Sequence, residues 1–164
     1  MTRMEVQDLY GCLDLQVDLK NRVKKRMAQE AKKHPQLQRL LKYPGIGPVR
    51  ASTFYAIIDT PHRFQKKSKI WVYCGIGLTS RSSGAKPARQ HRNQSYNRKL
   101  KWVVMGAART AICTKKDNPF KDHYQILLNK GVHHKEAVVR VARKITSSMW
   151  GMWRANQDYH PQMR

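Results

Sequence analysis

The chain has 164 residues and a mass of 19.2 kDa, which suits one domain, with or without an appended arm. Lys and Arg number 33 against 10 Asp and Glu, so the net charge is +23 and the pI about 10.5. No apolar run approaches the ~20 residues of a membrane-spanning helix, so we expect no membrane span. A charge excess of this size favours a polyanionic partner, with nucleic acid first and an anionic membrane surface second.

The N-terminal residues and the cysteines indicate a cellular compartment. Four acids lie within the first 20 residues, a pattern unlike that of a signal peptide. Cys12, Cys74 and Cys113 are odd in number and widely spaced, which favours free thiols in a reducing compartment over disulfides or a zinc site. We therefore expect a cytoplasmic protein whose cysteines bind no metal, and we expect this chain to bind no cofactor of its own.

The charges are unevenly distributed along the sequence. Between Asp59 and Asp117 there are fourteen Lys and Arg residues and no Asp or Glu. Such a stretch cannot neutralise itself locally, and each cation placed on a phosphate adds salt-dependent affinity. The alternative is a solvated basic face that only aids solubility, but solubility does not require acids to be absent.

The predicted elements are helices throughout. Residues 1–33 read as one long helix that forms an arm, and His34-Pro35 marks its end. A short helix around residues 37–41 leads to a turn, and Pro48 begins the next helix, which stops at Asp59-Thr60-Pro61. Gly75 is a predicted left-handed cap after a short apolar segment, residues 68–73.

The second half begins with a polar loop and continues with three amphipathic helices. Residues 79–97 form the loop, and apolar stripes follow at 100–112, 124–128 and 138–152. No strand alternation is visible. We predict a mainly α fold: an arm at 1–33, a domain at 34–155 containing a helix-hairpin-helix and a small helical part, and a loose tail at 156–164.

The segment around Gly45-Ile46-Gly47 has the form of a helix-hairpin-helix. The two glycines allow a tight turn, Ile46 fills the core between the helices, and exposed N–H groups at the start of the second helix face a phosphate. Arg50 lies one turn further on. Such binding contacts the nucleic-acid backbone and is indifferent to base sequence. The alternative is an ordinary helix–helix corner, which also favours Gly and Pro.

The loop residues 80–86 offer serine hydroxyls within a cationic setting. A serine that attacks a phosphodiester needs nearby guanidinium and ammonium groups to stabilise the developing charge. The cations within reach along this loop are Arg81, Lys86, Arg89 and Arg92, and Arg98 and Lys99 follow at the start of the next helix. Taken alone, Ser-Ser-Gly is more typical of simple turn chemistry.

Two other features have plain structural interpretations. His133-His134 precedes an amphipathic helix and has no second ligand cluster, so we interpret it as a cap or a surface feature. The four tryptophans, Trp71, Trp102, Trp150 and Trp153, stand among apolar stripes, which favours the core over base stacking.

Three blocks of sequence, spanning roughly residues 36–161, carry a family resemblance. The first is Tyr43 to Ala51, with Asp59 and Arg63-Phe64 after it. The second is Tyr73 to Thr79, then Ser82-Ser83-Gly84, Asn97-Arg98 and Leu100-Lys101. The third runs from Tyr124 and Gly131 through Lys135 to Lys144 and ends at Tyr159-His160-Pro161. Together they resemble the C-terminal part of DEDD-type insertion-sequence transposases, relatives of the Piv invertase and the bridge-RNA-guided serine recombinases.

The resemblance implies a function and a site. Ser83 would be a nucleophile that links covalently to DNA, acting with an N-terminal RuvC-like domain whose acids bind a divalent metal such as Mg²⁺. The first thirty residues resemble only the helical linker after that domain, so we expect the metal-binding half to be absent from this chain. Ser80 stands where the family commonly has Pro, and Tyr96 where it commonly has Gly.

The prediction is therefore a DNA-binding transposase or recombinase domain for DNA transposition. Its expected partners are element ends and target DNA, a guide RNA as in the bridge-RNA-guided members, and further copies of itself in the full-length protein. The alternatives are a non-catalytic nucleic-acid-binding module, a truncated transposase remnant, and a basic structural protein resembling a ribosomal component.

Overall fold

The computed structural model describes residues 2–81 and 89–161, and at residues 80, 81 and 89–92 it describes the backbone alone. The helices of this part are α1 (Arg3–Lys32), α2 (Pro35–Leu41), α3 (Pro48–Ile58), a 3-10 turn (Pro61–Arg63), α4 (Lys67–Tyr73), α5 (Arg98–Cys113), α6 (Pro119–Asn129) and α7 (His134–Arg154). Two strands, β1 (Leu78–Arg81) and β2 (Arg89–Arg92), lie between α4 and α5. The prediction of a mainly α fold is confirmed.

Helix α1 is long because its start is capped and its interior contains only one weak breaker. The Thr2 hydroxyl accepts from the Glu5 amide, and the Glu5 carboxylate accepts from the Thr2 amide, which is a capping box. Along most of its length α1 is exposed, and Ala31 near its C-terminal end is buried. The helix contacts α2 and α3.

The boundaries of α2, α3 and α4 follow the proline and glycine signals. Pro48 is the first residue of α3 and Asp59 caps its end, as predicted. Gly75, with φ +69°, follows α4, which confirms the predicted left-handed position. A Cβ at Gly75 would collide with the Tyr96 ring, so this glycine also lets the chain before α5 pack against the end of α4.

The segment 79–97, which the sequence predicts to be a loop, contains most of two short strands that no alternation revealed. β1 and β2 pair antiparallel, with Leu78 opposite Arg92 and Arg81 opposite Arg89. Each strand has only four residues. Leu78 on β1 is the one large apolar residue in the pair, so neither strand carries the alternation by which a half-buried strand is identified. The structure identifies the two strands by their backbone pairing.

The core is built around α5 and α7, and α2, α3, α4 and α6 also contribute buried side chains to it. Helix α7 buries one whole face against these neighbours and α4, including Val141, Ile145 and Met149. Thr146 is also buried, and its hydroxyl donates to the Ala142 carbonyl within the same helix, so no polar group of its side chain is left unpaired. Helix α5 contributes Leu100, Val103, Val104, Ala107 and Ala111, which are the predicted stripe.

Residues 156–159, which the sequence predicts to be loose, contact α2 and the turn after it. The Asn156 side chain accepts from Gln36 and Arg39, and Asp158 pairs with Arg39 at 3.0 Å and Lys42 at 2.9 Å. The Tyr159 ring lies 4.2 Å from the Tyr43 ring.

The cysteines and histidines agree with their plain interpretations. Cys12 and Cys113 are exposed free thiols and Cys74 is a buried one. His133 caps α7, because its side chain accepts from the Lys135 amide. Within the described residues, no helix is both long enough and apolar enough to cross a bilayer.

Candidate nucleic-acid interface

The turn between α2 and α3 is held tightly against α5. Gly45 has φ +79°, a conformation that favours glycine. A Cβ at this position would lie 3.0 Å from the Ala111 amide nitrogen and would overlap the Ala107 carbonyl oxygen. The absence of a side chain at Gly45 therefore permits both the turn and the close approach of its backbone to α5.

Ile46 and Gly47 complete this turn as predicted. Ile46 is buried, and its amide donates to the Tyr43 carbonyl at 3.1 Å. Gly47 is the N-cap of α3, and a Cβ there would meet nothing within 4 Å. The start of α3 is consequently open on the side of Gly47, and unpaired N–H groups with a partial positive charge are what a helix offers to an anion at such an end.

Arg50 bridges this turn to α5. Its Nη1 donates to the Gly45 carbonyl at 2.8 Å and to the Thr110 hydroxyl at 2.9 Å. A Cβ at Gly106 would lie 2.9 Å from Nη2, so the glycine provides the space that the guanidinium occupies on α5. The sequence predicts Arg50 as a phosphate contact, and the structure adds that it braces the turn.

Trp102 is exposed, and the expectation that it belongs to the core is wrong. Its side chain is 56% exposed, and the Arg50 guanidinium lies 5.8 Å from its ring centroid. The reason is helical phase: Val103 and Val104 face the core, which turns Trp102 outward. The position of Trp102 relative to the apolar stripe of α5 is a signal from which its exposure could have been predicted. Of the other tryptophans, Trp153 is buried and Trp71 and Trp150 are half-buried.

The outer face of α5 carries exposed cations around Trp102. Arg98 and Lys99 occupy the first turn, after the N-cap Asn97, and Arg109 lies further along. Cations in a first turn oppose the helix dipole, so Arg98 and Lys99 do not contribute to helix stability through it. Their position is better suited to an external anion.

Tyr96 and Lys101 form a polar contact beside this face. The Lys101 ammonium lies 4.2 Å from the Tyr96 ring centroid and donates to the Tyr96 hydroxyl at 3.1 Å. Tyr96 thus has a structural role here, packing between Gly75 and Lys101.

The remaining predicted residues fall in two groups. Arg81, Arg89 and Arg92 lie on β1 and β2, where pairing sets Arg81 opposite Arg89. Ser83 and Lys86 lie outside the described residues. The structure therefore packs Gly45 and Arg50 against α5, with Ile46 and Gly47 in the same turn, while the serine site stays a prediction.

No metal site of the usual kind is formed by the part of the chain that the structure describes. Within it, no group of three His, Cys, Asp or Glu side chains is close enough to hold an ion. The described residues therefore do not fit the divalent metal that the resemblance implies, and any step that needs this metal requires ligands from elsewhere.

Comparison with known proteins places the chain in a family. Residues 37–125, more than half of the chain and including the α2–α3 turn and all of α5, match the family model described as transposase IS116/IS110/IS902 family. The chain belongs to this transposase family.

Relatives from three insertion elements agree with this. The chain is 30% identical over 118 residues to a 44.8 kDa protein of insertion element IS116 from Streptomyces clavuligerus, covering 72% of this chain and 29% of that protein. It is 26% identical over 130 residues to a 43.6 kDa protein of IS110 from Streptomyces coelicolor, covering 79% and 32%. For a 42 kDa protein of IS900 from Mycobacterium paratuberculosis the identity is 25% over 131 residues, covering 79% and 32%. The chain thus spans about a third of the length of these relatives.

Proposed function

We propose that this chain is the DNA-binding C-terminal part of a transposase that moves an insertion sequence, and that the α2–α3 turn and the outer face of α5 form its nucleic-acid interface. The observation that carries the proposal is Trp102, an exposed aromatic ring beneath the Arg50 guanidinium, in a segment without carboxylates. Exposed aromatic side chains among cations are the usual platform for nucleic-acid backbone and bases.

The turn supplies contacts to phosphate in this proposal. As a helix-hairpin-helix, it would place the open N-terminus of α3 against one phosphate, beside Gly47. Arg50 would hold the turn in shape and share its charge with the same phosphate. These contacts carry no base information, so binding through them is expected to tolerate any sequence.

Helix α5 and the β-hairpin extend this interface. Arg98 and Lys99 at the start of α5 would neutralise further phosphates, and Trp102 would stack on a sugar or base. The antiparallel pairing of β1 and β2 brings the backbones of Arg81 and Arg89 together, on either side of residues 82–88, which include Ser83. Lys86 and Arg92 are the remaining proposed cations of this part of the sequence.

Ser83 is the proposed nucleophile. Its Oγ would bond to the phosphorus of a DNA phosphodiester while the bond from phosphorus to one adjoining sugar oxygen breaks. The serine proton would leave to a base, and the departing sugar oxygen would take up a proton. Arg81 and Lys86 would stabilise the charge on the pentavalent phosphate. When bound by a RuvC-like domain outside this chain, Mg²⁺ would supply Lewis-acid assistance.

The wider setting is part of the same proposal. The partners are the element ends and the target DNA, with a guide RNA in the manner of the bridge-RNA-guided recombinases. The full-length protein would act as a homo-oligomer, because joining element ends to a target requires more than one strand exchange. It would work in the cytoplasm, on the nucleoid.

Substitution of Trp102 by Ala tests the interface. Loss of one stacking platform is expected to weaken binding of a DNA duplex and of a single strand about tenfold at fixed salt. Ile126→Ala is the matched control, because Ile126 on α6 is 51% exposed and lies outside the proposed interface. Equal affinities for the two variants in a fluorescence-anisotropy titration would contradict the assignment of Trp102.

Covalent capture tests the nucleophile. The chain is mixed with a supplied N-terminal RuvC-like domain, Mg²⁺ and end-labelled element DNA, then denatured and separated on a gel. A denaturant-resistant adduct is expected with the parent chain and with Ser82→Ala, and none with Ser83→Ala. An adduct that survives in Ser83→Ala, or that is absent from the parent chain throughout, would reject Ser83. Absence from the parent chain would favour a non-catalytic binding module, since this chain spans only about a third of its relatives.

A further inference from the structure

A second cationic site lies away from the interface proposed above. Residues of α4, α6, α7 and the tail line an open cavity of about 560 Å³, a volume within the range of small-ligand sites. None of the residues lining it belongs to the α2–α3 turn, the β-hairpin or α5. The cavity is therefore a separate feature that the proposed interface does not use.

The charged lining of this cavity is cationic. Lys67, Arg140, Arg143 and Lys144 line it, and no Asp or Glu is found among the lining residues that the structure describes. Glu136 stands beside the cavity and pairs with Arg140 at 3.4 Å and with Arg143 at 3.6 Å. One carboxylate against four cations leaves a positive site that favours an anion.

The same positive charges act on the imidazole of His123. It lines the cavity, and burial, followed by the charges of Lys144, Arg140 and Lys130, lowers the pKa of its imidazole. An anion bound within this cluster would oppose those charges. The imidazole therefore provides a spectroscopic reporter of occupancy that does not depend on any enzymatic activity.

The other side of the cavity is apolar and includes a fixed aromatic ring. The Trp71 indole N–H donates to the Ser147 hydroxyl at 2.9 Å and to the Arg143 carbonyl at 3.2 Å, which fixes the ring. Phe120 and Met152, both buried, complete this wall. A ligand that satisfies the whole cavity must therefore combine an anionic group with a flat, largely apolar group.

We infer that this cavity binds one nucleotide of a nucleic-acid strand, with its phosphate toward Arg140 and Lys144 and its base against Trp71, Phe120 and Met152. The inference rests on the proposed nucleic-acid-binding function and adds a site that takes a nucleotide out of the stack. A phosphate alone would leave the apolar wall unused, and an apolar ligand alone would leave the net positive charge of the lining without a counter-ion. A nucleotide uses both walls.

Gly151→Leu tests the site by filling it. Gly151 lines the cavity within α7, and a Cβ there would meet nothing within 4 Å, so the new side chain has open space to enter. The matched control is Gly11→Leu, since Gly11 also lies inside a helix with nothing within 4 Å of its Cβ. Leu is a better helix former than Gly, so both variants are expected to remain folded.

Three probes distinguish the ligands: the tetranucleotide dT4 with a 5′ phosphate, thymidine 5′-monophosphate, and inorganic phosphate. NMR of His123 is expected to show its pKa rising with the first two probes. Gly151→Leu should weaken dT4 binding about tenfold, and Gly11→Leu should leave it unchanged. Tighter binding of dT4 than of the mononucleotide would identify a strand as the source, and equal binding a free nucleotide.

A second variant separates a loss of binding from a folding defect in Gly151→Leu. Lys144→Gln removes one cation of the cavity, and Lys24→Gln removes one from exposed α1 at equal change in net charge. Only Lys144→Gln is expected to weaken dT4 binding. Responses to inorganic phosphate as strong as those to dT4, or dT4 affinities unchanged in both Gly151→Leu and Lys144→Gln, would overturn the inference. If Trp102→Ala still weakens duplex binding in that case, the proposed function stands and only this site fails.

Discussion

Gly45 combines two constraints that a single substitution can separate. Its φ of +79° costs an L-residue about 1–3 kcal/mol, and its backbone also lies against the Ala107 carbonyl of α5. Gly131 has nearly the same conformation, with φ +76°, but a Cβ there would meet nothing within 4 Å. The pair therefore distinguishes conformational strain from close packing.

We predict that Gly45→Ala lowers the free energy of unfolding by more than Gly131→Ala does, by about 2 kcal/mol or more, because α5 must move to admit the methyl group. Urea unfolding followed by circular dichroism measures both. Gly47→Ala, where space is open, should change stability by less than about 1 kcal/mol. Equal losses at Gly45 and Gly131 would show that packing on α5 contributes nothing.

Tyr43 makes stability depend on alkaline pH. Burial, against the opposing hydrogen bond with Ser148, raises the pKa of its phenol from 10.0 to about 12. A raised folded-state pKa means that the contribution of Tyr43 is fully present below pH 10 and is lost as pH rises through 12. The expected loss is up to about 3 kcal/mol, from about 1.4 kcal/mol for each unit of the pKa difference.

We predict that Tyr43→Phe is less stable than the parent at pH 8, since the Ser148 bond is lost, but that this difference shrinks as pH rises from 10 to 12. Thermal melts across that range measure it. Tyr10→Phe is the control, because Tyr10 is exposed on α1 and its variant should run parallel to the parent. A Tyr43→Phe curve that stays parallel to the parent would refute the burial argument.

The sequence predicts the turn residues but not the partners of Arg50. Gly45, Ile46 and Pro48 carry local information, because turn and helix-start preferences act over a few residues. The contacts of Arg50 with Thr110 and Trp102 join positions some fifty to sixty residues apart and depend on how α3 docks on α5. Nothing in local pattern encodes that docking, so the bracing role of Arg50 and the exposure of Trp102 emerge only in three dimensions.

At the scale of elements, the tail contacts α2 and the turn after it through an aromatic ring and through ion pairs. These two kinds of contact differ in how much they contribute to stability. Tyr159 packs on Tyr43, and its buried hydroxyl has no hydrogen-bond partner among the described residues. Asp158 is exposed, and the hydrogen bond and charge of Lys42 together with Arg39 hold the pKa of its carboxyl below its usual range. Exposed ion pairs contribute little to stability, whereas aromatic packing contributes more.

We predict that Tyr159→Ala lowers the free energy of unfolding by about 1–2 kcal/mol, while Asp158→Asn leaves the melting temperature nearly unchanged. Tyr159→Phe should match or exceed the parent, because it removes a buried hydroxyl without a partner. Differential scanning calorimetry at pH 7 compares the three. A larger loss in Asp158→Asn than in Tyr159→Ala would mean that charge, rather than packing, holds the tail.

Helices and strands differed in how well the sequence predicted them. Helices α3, α5 and α7 carry periodic apolar stripes or proline starts, and these predictions are confirmed. The two strands hold one large apolar residue, Leu78, among their eight positions, so the hydrophobic pattern that would reveal them is missing. The contacts of residues 156–159 with α2 could not be predicted either, since they join segments about 120 residues apart.

At the scale of the whole molecule, the acids are concentrated at one end of the chain. Five of the ten lie on α1, and none lies between Asp59 and Asp117. Two descriptions of nucleic-acid binding follow. Either the net charge of +23 governs affinity, or a localised set of cations on α5 and the hairpin does. The salt dependence of binding separates them, because it counts the phosphates neutralised at the interface.

We predict that replacing Arg98 and Lys99 together by Gln reduces the slope of log K against log salt concentration by about 2 for a DNA duplex, because two phosphate contacts are lost. Replacing Asp8, Asp14 and Asp18 on α1 by Asn raises the net charge by three and should leave the slope unchanged, because those positions lie outside the proposed interface. Anisotropy titrations between 50 and 300 mM salt, roughly the range in which such slopes are linear, measure both. If the slope follows net charge in both variants, or moves in the α1 variant alone, the interface does not lie at the start of α5.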